Sequence, residues 1–320
     1  MCRCPTDPQA GRRSARRMTM TLHTPTAPLS TDQADQSACL GSPVPTRQPA
    51  LRPRVVTILG LEHSGTTLLA RMLGTHPDAV AIGGLKNFAS FVQHRKRCSC
   101  GGDPDSCAFW LPVLDHLRKD GLDPAELATA LSGRRTAPVP ARQAAGQLIA
   151  AIAAASGAAV IVDASRDPEW SQLLRPLAGI EVVPVHIFKS PLAQAASAKR
   201  KERSVYGELA KYISRSRACR AETRRATAAV TLAHEDLCAT PGPLIARIMD
   251  RLGLDPDPRQ VADWGSRPLH MLGGNRMRSS TSSDIQSDRG WSGILSPLEI
   301  TLVRIAGGAA YAANQRQSQR

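Results

Sequence analysis

Residues 55–67, Val-Val-Thr-Ile-Leu-Gly-Leu-Glu-His-Ser-Gly-Thr-Thr, carry a β-branched run through a glycine turn into a segment that opens on hydroxyl residues. This junction constrains the chain more than any other stretch. It reads as strand, turn and helix N-terminus, and backbone N–H groups at such an N-terminus converge on anions with the helix dipole behind them. The expectation is a phosphate cradle; the bland alternative is a tight turn with capping side chains. Counting from Gly60, the spacing G-x-x-x-x-G is met by Gly65, but Thr66 stands where a nucleoside-triphosphate loop carries lysine. A kinase or triphosphatase is disfavoured on that ground.

A second stretch offers a second anion contact. Residues 182–189, Val-Val-Pro-Val-His-Ile-Phe-Lys, read as a buried parallel strand. Ser190-Pro191 follows as an N-cap and first-turn proline, then an alanine-rich helix. Lys189 therefore falls at the carboxyl end of a strand, where open α/β sheets bind ligands. Ser197 lies eight residues on, about two helical turns away. An ordinary strand-end lysine and an ordinary helix serine are the plain alternative.

Taken in order, these segments resemble the sulfotransferases that use 3′-phosphoadenosine 5′-phosphosulfate (PAPS). Ser64-Gly65-Thr66-Thr67-Leu68-Leu69 is similar to their 5′-phosphosulfate loop, and Lys189 with Ser197 to their 3′-phosphate pair, with lysine in place of the usual arginine. Ile161-Val162-Asp163-Ala164-Ser165-Arg166 resembles a "VDSSK" strand end, and His234-Glu235-Asp236-Leu237 a "YEDL" box. Gly274-Asn275-Arg276-Met277-Arg278 resembles a "GNPMR" loop whose arginine reaches the nucleotide phosphate, so Arg276 and Arg278 are candidates for that contact. Asp288-Arg289-Gly290-Trp291 resembles the "D..W" that follows. The resemblance implies an α/β fold with a P-loop-like parallel sheet flanked by helices. It also implies sulfuryl transfer from PAPS, with no metal, to a hydroxyl or amine of a small-molecule, lipid or glycan acceptor.

Two family positions depart from that pattern. The lysine or arginine before S-G-T-T, which steadies the bridging oxygen, is His63 here, and it can serve only if protonated. The general-base glutamate of a "GEL" segment is replaced by Gly84 in Ile82-Gly83-Gly84-Leu85-Lys86, leaving His94 and Asp163 as weak substitutes. A PAPS-binding pseudoenzyme is therefore the second reading, and a nucleotide kinase the third.

Charge and composition bound the rest. The 320 residues carry a net charge of +14, and 189–225 alone hold 11 Lys and Arg against 3 Glu. That density suits steering of an anionic donor or acceptor. Specific nucleic-acid binding is not expected, since aromatics are 3% of the chain and no reader motif is present. The same scarcity predicts an aliphatic core. No run reaches about 18 apolar residues, so no integral membrane span is expected, and a cytoplasmic bacterial protein is the simplest reading. Residues 1–52, rich in Thr, Pro, Ser, Gln and Arg, are expected to form a disordered tail, with Met18 or Met20 as alternative starts. Residues 53–313 are expected to form the single sulfotransferase domain.

Cys98, Cys100 and Cys107 form the one cysteine cluster, in a segment resembling a "C.CG…CPFW" acceptor-side insert of bacterial sulfotransferases. With His94 it could supply four zinc ligands, but C-x-C is not a common zinc spacing. Unbonded thiols are the favoured expectation, ahead of a metal site or a local disulfide.

Overall fold

The computed structural model describes residues 52–133, 139–285 and 290–319. The expected tail lies outside the described residues except for Arg52, as do Asp288 and Arg289 of the "D..W" stretch. Five strands, β1 (Arg54–Leu59), β2 (Ala79–Gly83), β3 (Val160–Arg166), β4 (Glu181–Phe188) and β5 (Val230–Ala233), form one sheet in the order β2-β3-β1-β4-β5. Every pairing is parallel. The α/β expectation of a parallel sheet flanked by helices is met.

The β-branched run makes β1 the central strand, with Val55 opposite Ile161 on one side and Val182 on the other. Side chains alternate between faces. Val55 joins a cluster with Ile161, Leu148 and Trp110, while Val56 and Ile58 join a second cluster with Leu69, Met72 and Ile248. Burial on both faces is what a near-continuous apolar strand requires.

Helices supply the two layers. On the first half of the chain they are α1 (Thr66–Gly74), α2 (Phe88–Gln93), α3 (Trp110–Lys119), α4 (Pro124–Leu131), α5 (Ala141–Ser156) and α6 (Pro168–Leu174). Then come α7 (Pro191–Lys199), α8 (Val205–Arg225), α9 (His234–Ala239), α10 (Pro241–Arg251), α11 (Arg259–Ala262) and α12 (Pro297–Ser318). The last of these runs past residue 313 to Ser318. Helix α6 is absent from the sequence reading, although parallel strands β3 and β4 need a crossover between them. Its start was readable: Asp167 caps Glu169 N–H, and Pro168 sits at the first helical position.

The core is less uniformly aliphatic than composition suggests. Trp110 is fully buried, with the rings of Phe88, Phe91 and Phe109 at 6.0, 5.6 and 5.2 Å. Three of the chain's four phenylalanines thus cluster on one tryptophan. Among the described residues no helix is long and apolar enough to cross a membrane.

Connections from β1 lead through α1 to β2 on one side of the sheet, while the chain after β3 crosses to β4 on the other. The carboxyl end of β1 is therefore a topological switch point, where open α/β sheets hold their ligands.

Candidate functional site

At that end the chain turns sharply into α1. Ser64 donates its hydroxyl to Leu61 O at 2.8 Å, closing the turn from within. His63 takes a left-handed conformation, φ 67°, uncommon for a residue with a Cβ. Gly65 follows at φ 93°, and a methyl there would meet His234 Cδ2 at 2.2 Å. Thr66, Thr67 and Leu68 then begin α1, so their N–H groups have no acceptor within the helix. Gly65, Thr66, Thr67 and Leu68 all line one cavity of about 270 Å³.

The opposite wall comes from β4 and α7. Lys189 Nζ donates to Ser197 Oγ at 3.3 Å, and both are buried. Tyr212 on α8 donates its hydroxyl to Lys189 O at 3.0 Å, and Ser190 N–H donates to Glu235 Oε1 at 2.8 Å. The strand end is thereby fixed from two elements. Arg166, Arg200 and Lys201 also face the cavity, together with His63, His234, Asn275 and Met277. Among the described residues, four lysines and arginines and no carboxylate line it. Such a wall suits a ligand of several negative charges.

His63 and Lys201 meet there, with Lys201 Nζ donating to His63 Nε2 at 2.9 Å. Burial, and after it the Lys201 charge, hold the His63 pKa below the ordinary histidine value. Both effects act against the protonated imidazole expected from the sequence, and Lys201 is the basic side chain placed beside it. Its sequence signal was the run Lys199-Arg200-Lys201, read only as a basic stretch.

No protein-family model matches the sequence, and no curated protein matches it. Solved structures do. A sulfotransferase domain from the curacin biosynthetic pathway superposes with a TM-score of 0.51 at 17% identity, over 79% of this chain and 96% of that one. The sulfotransferase domain of the Synechococcus PCC 7002 olefin synthase gives 0.50 at 18% identity, over 81% and 95%. The fold is one shared with sulfotransferase domains.

Within that sulfotransferase-like fold the 274–278 loop differs from its sequence reading. Asn275 and Met277 line the cavity; Arg276 and Arg278 do not. Arg276 is exposed, and Arg278 faces a separate cavity with Asn87 and Lys96. The reason lies beneath the loop. Buried Arg71 donates to Met277 O and Ser280 O through one nitrogen and to Gly265 O through another, with its guanidinium 5.2 Å from the Trp264 ring. Asn275 Oδ1 accepts from Met277 N–H at 3.0 Å, completing a short 3₁₀ turn. Arg71→Met should leave those carbonyls unpartnered and cost about 2–4 kcal/mol of stability. It should also weaken anion binding in a cavity that Arg71 does not line. Thermal unfolding and titration with adenosine 3′,5′-bisphosphate measure both, and a variant with wild-type melting and affinity would refute this role.

Neither substitute base has the surroundings a base needs. Asp163 is buried and accepts from Leu85 N–H, Ser165 N–H, Ser165 Oγ and the Trp170 indole. Burial raises its pKa, against those donors. It pins the segment after β2 to the end of β3 and lines neither this cavity nor its neighbour. His94 is exposed at the end of α2 and lines none of the cavities described. Gly84 extends toward Asn87, whose Nδ2 lies 2.8 Å from where a Cβ would be.

A neighbouring cavity of about 550 Å³ shares Arg166 with the first and is lined also by Glu62, Lys86, Asp167, Arg203, Lys211 and Arg215. Two of its carboxylates, exposed Glu62 and half-buried Asp167, are held as anions. The Arg203 hydrogen bond lowers the pKa of Glu62. At Asp167 burial acts to raise it, but Lys86 and Arg215 outweigh that effect. Cys98, Cys100 and Cys107 are unbonded, and they converge on His270 rather than on His94.

Proposed function

We propose that this chain is a sulfotransferase that takes a sulfuryl group from PAPS. The observation that carries the reading is the one cavity lined by both Thr66–Leu68 and the Lys189–Ser197 pair, with four cations and no acid among the described residues. A donor with two separated phosphate groups requires two anion contacts, and the residues present fit it. Gly65, Thr66, Thr67 and Leu68 would hold the 5′ side through main-chain N–H groups, with Ser64, which does not line the cavity, bonded back to Leu61 to set the turn. Lys189 and Ser197 would hold the 3′-phosphate. PAPS supplies the sulfuryl group and the phosphate leaving group.

The chemistry asked of the protein is charge stabilisation on the leaving oxygen and exclusion of water. We assign the first to Lys201, with His63 as the acceptor that orients its ammonium. The sulfuryl group goes to a hydroxyl or amine; the 550 Å³ cavity is lined by five Lys and Arg against Glu62, Asp167 and Glu208, a modest positive excess that suits an anionic acceptor. Because Glu62 and Asp167 are held as ion-paired anions, this reading favours acceptors that need little deprotonation.

The donor class is testable without an acceptor. Adenosine 3′,5′-bisphosphate should raise the melting temperature without magnesium, and ATP with magnesium should not. A larger, magnesium-dependent shift with ATP would sink the proposal. Lys189→Ala should weaken bisphosphate binding by roughly 1.5–3 kcal/mol, the range of a charge-assisted hydrogen bond. Lys189→Arg should retain binding, since the guanidinium fork suits phosphate. Unchanged affinity in Lys189→Ala would remove the 3′ assignment.

A PAPS-binding protein without turnover is the second reading, favoured by Gly84 and by the saturated Asp163 carboxylate. Tight bisphosphate binding with no transfer to any acceptor in a broad metabolite and glycan screen would select it.

A further inference from the structure

Four side chains outside the proposed donor site converge on one point. Cys98, Cys100, Cys107 and His270 each offer one ligand atom, and these atoms all lie within 4.8 Å of one another. Cys107 Sγ is 3.3 Å from His270 Nδ1, Cys98 Sγ is 3.9 Å from the same nitrogen, and Cys100 Sγ is 3.6 Å from Cys107 Sγ. A tetrahedral zinc ion with ordinary Zn–S and Zn–N bonds separates sulfur from sulfur by about 3.8 Å and sulfur from nitrogen by about 3.6 Å. The two sulfur–nitrogen spacings, 3.3 and 3.9 Å, lie on either side of the latter value, and the sulfur–sulfur spacing of 3.6 Å falls just short of the former. The fourth ligand atom comes from a residue 163 positions away in sequence.

We propose that these residues form a structural zinc site with three thiolates and one imidazole. Soft sulfur donors with one imidazole select zinc over magnesium or calcium, and four protein ligands close the coordination shell. The surroundings are built to aim His270. Its ring stacks on Phe109 at 5.5 Å with 15° between planes. Its carbonyl accepts from the Trp110 indole N–H at 2.9 Å. Ser99 holds both neighbours, donating its N–H to Met271 O at 3.1 Å and its hydroxyl to Leu269 O. Such outer contacts fix a ligand's orientation before metal arrives.

The site joins two segments far apart in sequence. Cys98, Cys100 and Cys107 belong to the connection between α2 and α3, whereas His270 begins the stretch that leads to Asn275 and Met277 in the donor cavity. Zinc would thus brace the loop that closes that cavity without touching the ligand. This proposal does not depend on the sulfotransferase reading, because its readout is metal content.

The test uses the full chain, purified without chelator and without added metal, and analysed by elemental mass spectrometry. About one zinc per chain is expected for a closed four-ligand site. Cys100 is exposed, so Cys100→Ser should fold normally while lowering zinc content severalfold, and Cys100→Ser/Cys107→Ser should lower it at least tenfold. After chelation, cobalt should restore one ion per chain with the intense visible bands of a tetrahedral thiolate site. Wild-type protein that holds no metal and takes up no cobalt would overturn the proposal. So would full zinc content in the double variant, or loss of zinc in Cys2→Ser/Cys4→Ser, which would assign the ion to N-terminal thiols.

Discussion

Lys201→Ala is expected to lower turnover about 10²–10³-fold, the range for removing a group that stabilises charge appearing only in the transition state. Bisphosphate affinity should fall much less, because Lys189 and the α1 amides remain. His63→Ala should be milder, about tenfold, since in this arrangement the imidazole is neutral and acts through the lysine. The decisive variant moves the charge: Lys201→Ala/His63→Lys restores an ammonium within the same corner of the cavity and should recover most of the lost rate. His63→Lys alone brings two ammonium groups together and should not improve on wild type. Release of adenosine bisphosphate from PAPS, with water or a screened acceptor, reads all four proteins. Lys201→Ala within about threefold of wild type would assign leaving-group stabilisation elsewhere.

A second large effect concerns stability. His186 is fully buried in β4, and neither ring nitrogen has a hydrogen-bond partner among the described residues. Burial, and after it the nearby Arg220 charge, push its pKa down to about 3. The sign follows from proton counting. Below pH about 6.5 the unfolded chain binds a proton that the folded chain refuses until about pH 3, so acidification across that window drains stability, by on the order of 4 kcal/mol from this residue alone. At neutral pH the cost is only the unpartnered ring, about 1–3 kcal/mol. His186→Leu should therefore raise the neutral melting temperature and shrink the loss between pH 7 and pH 4. Urea unfolding at several pH values measures both, and parallel pH curves for wild type and variant would contradict the assignment.

Much of the architecture was legible because period and punctuation agreed. Val55–Leu59 and Val182–Phe188 are apolar runs bounded by glycine or an N-cap, and the structure makes them the neighbouring central strands β1 and β4. Gly157, left-handed at the end of α5, is where that helix gives way to β3. What the sequence hid was contact between distant segments. Nothing local to Arg71 announces that it holds Met277 and Ser280 two hundred residues on, so the loop's arginines drew the attention that its Asn275 and Met277 warranted. The cysteine cluster failed the same way. His94 was the nearest histidine in sequence, while the sheet brings in His270 through the Gly83–Leu272 bridge beside it. The cation beside His63 was hidden for the same reason, since Lys201 arrives from the turn after α7.

The contact between Gly65 and His234 has a consequence for how this site can change over time. Position 65 is locked twice, by its positive φ and by the ring at its Cα, so no single substitution there is tolerated. Position 234 carries no such double lock. A smaller side chain in place of the imidazole would give up its contacts with Cys238 but open space beside Gly65, while a different ring of similar thickness would keep the wall. Evolution and protein engineers therefore have one adjustable tile beneath the anion loop, and it lies on the β5 side of the cleft.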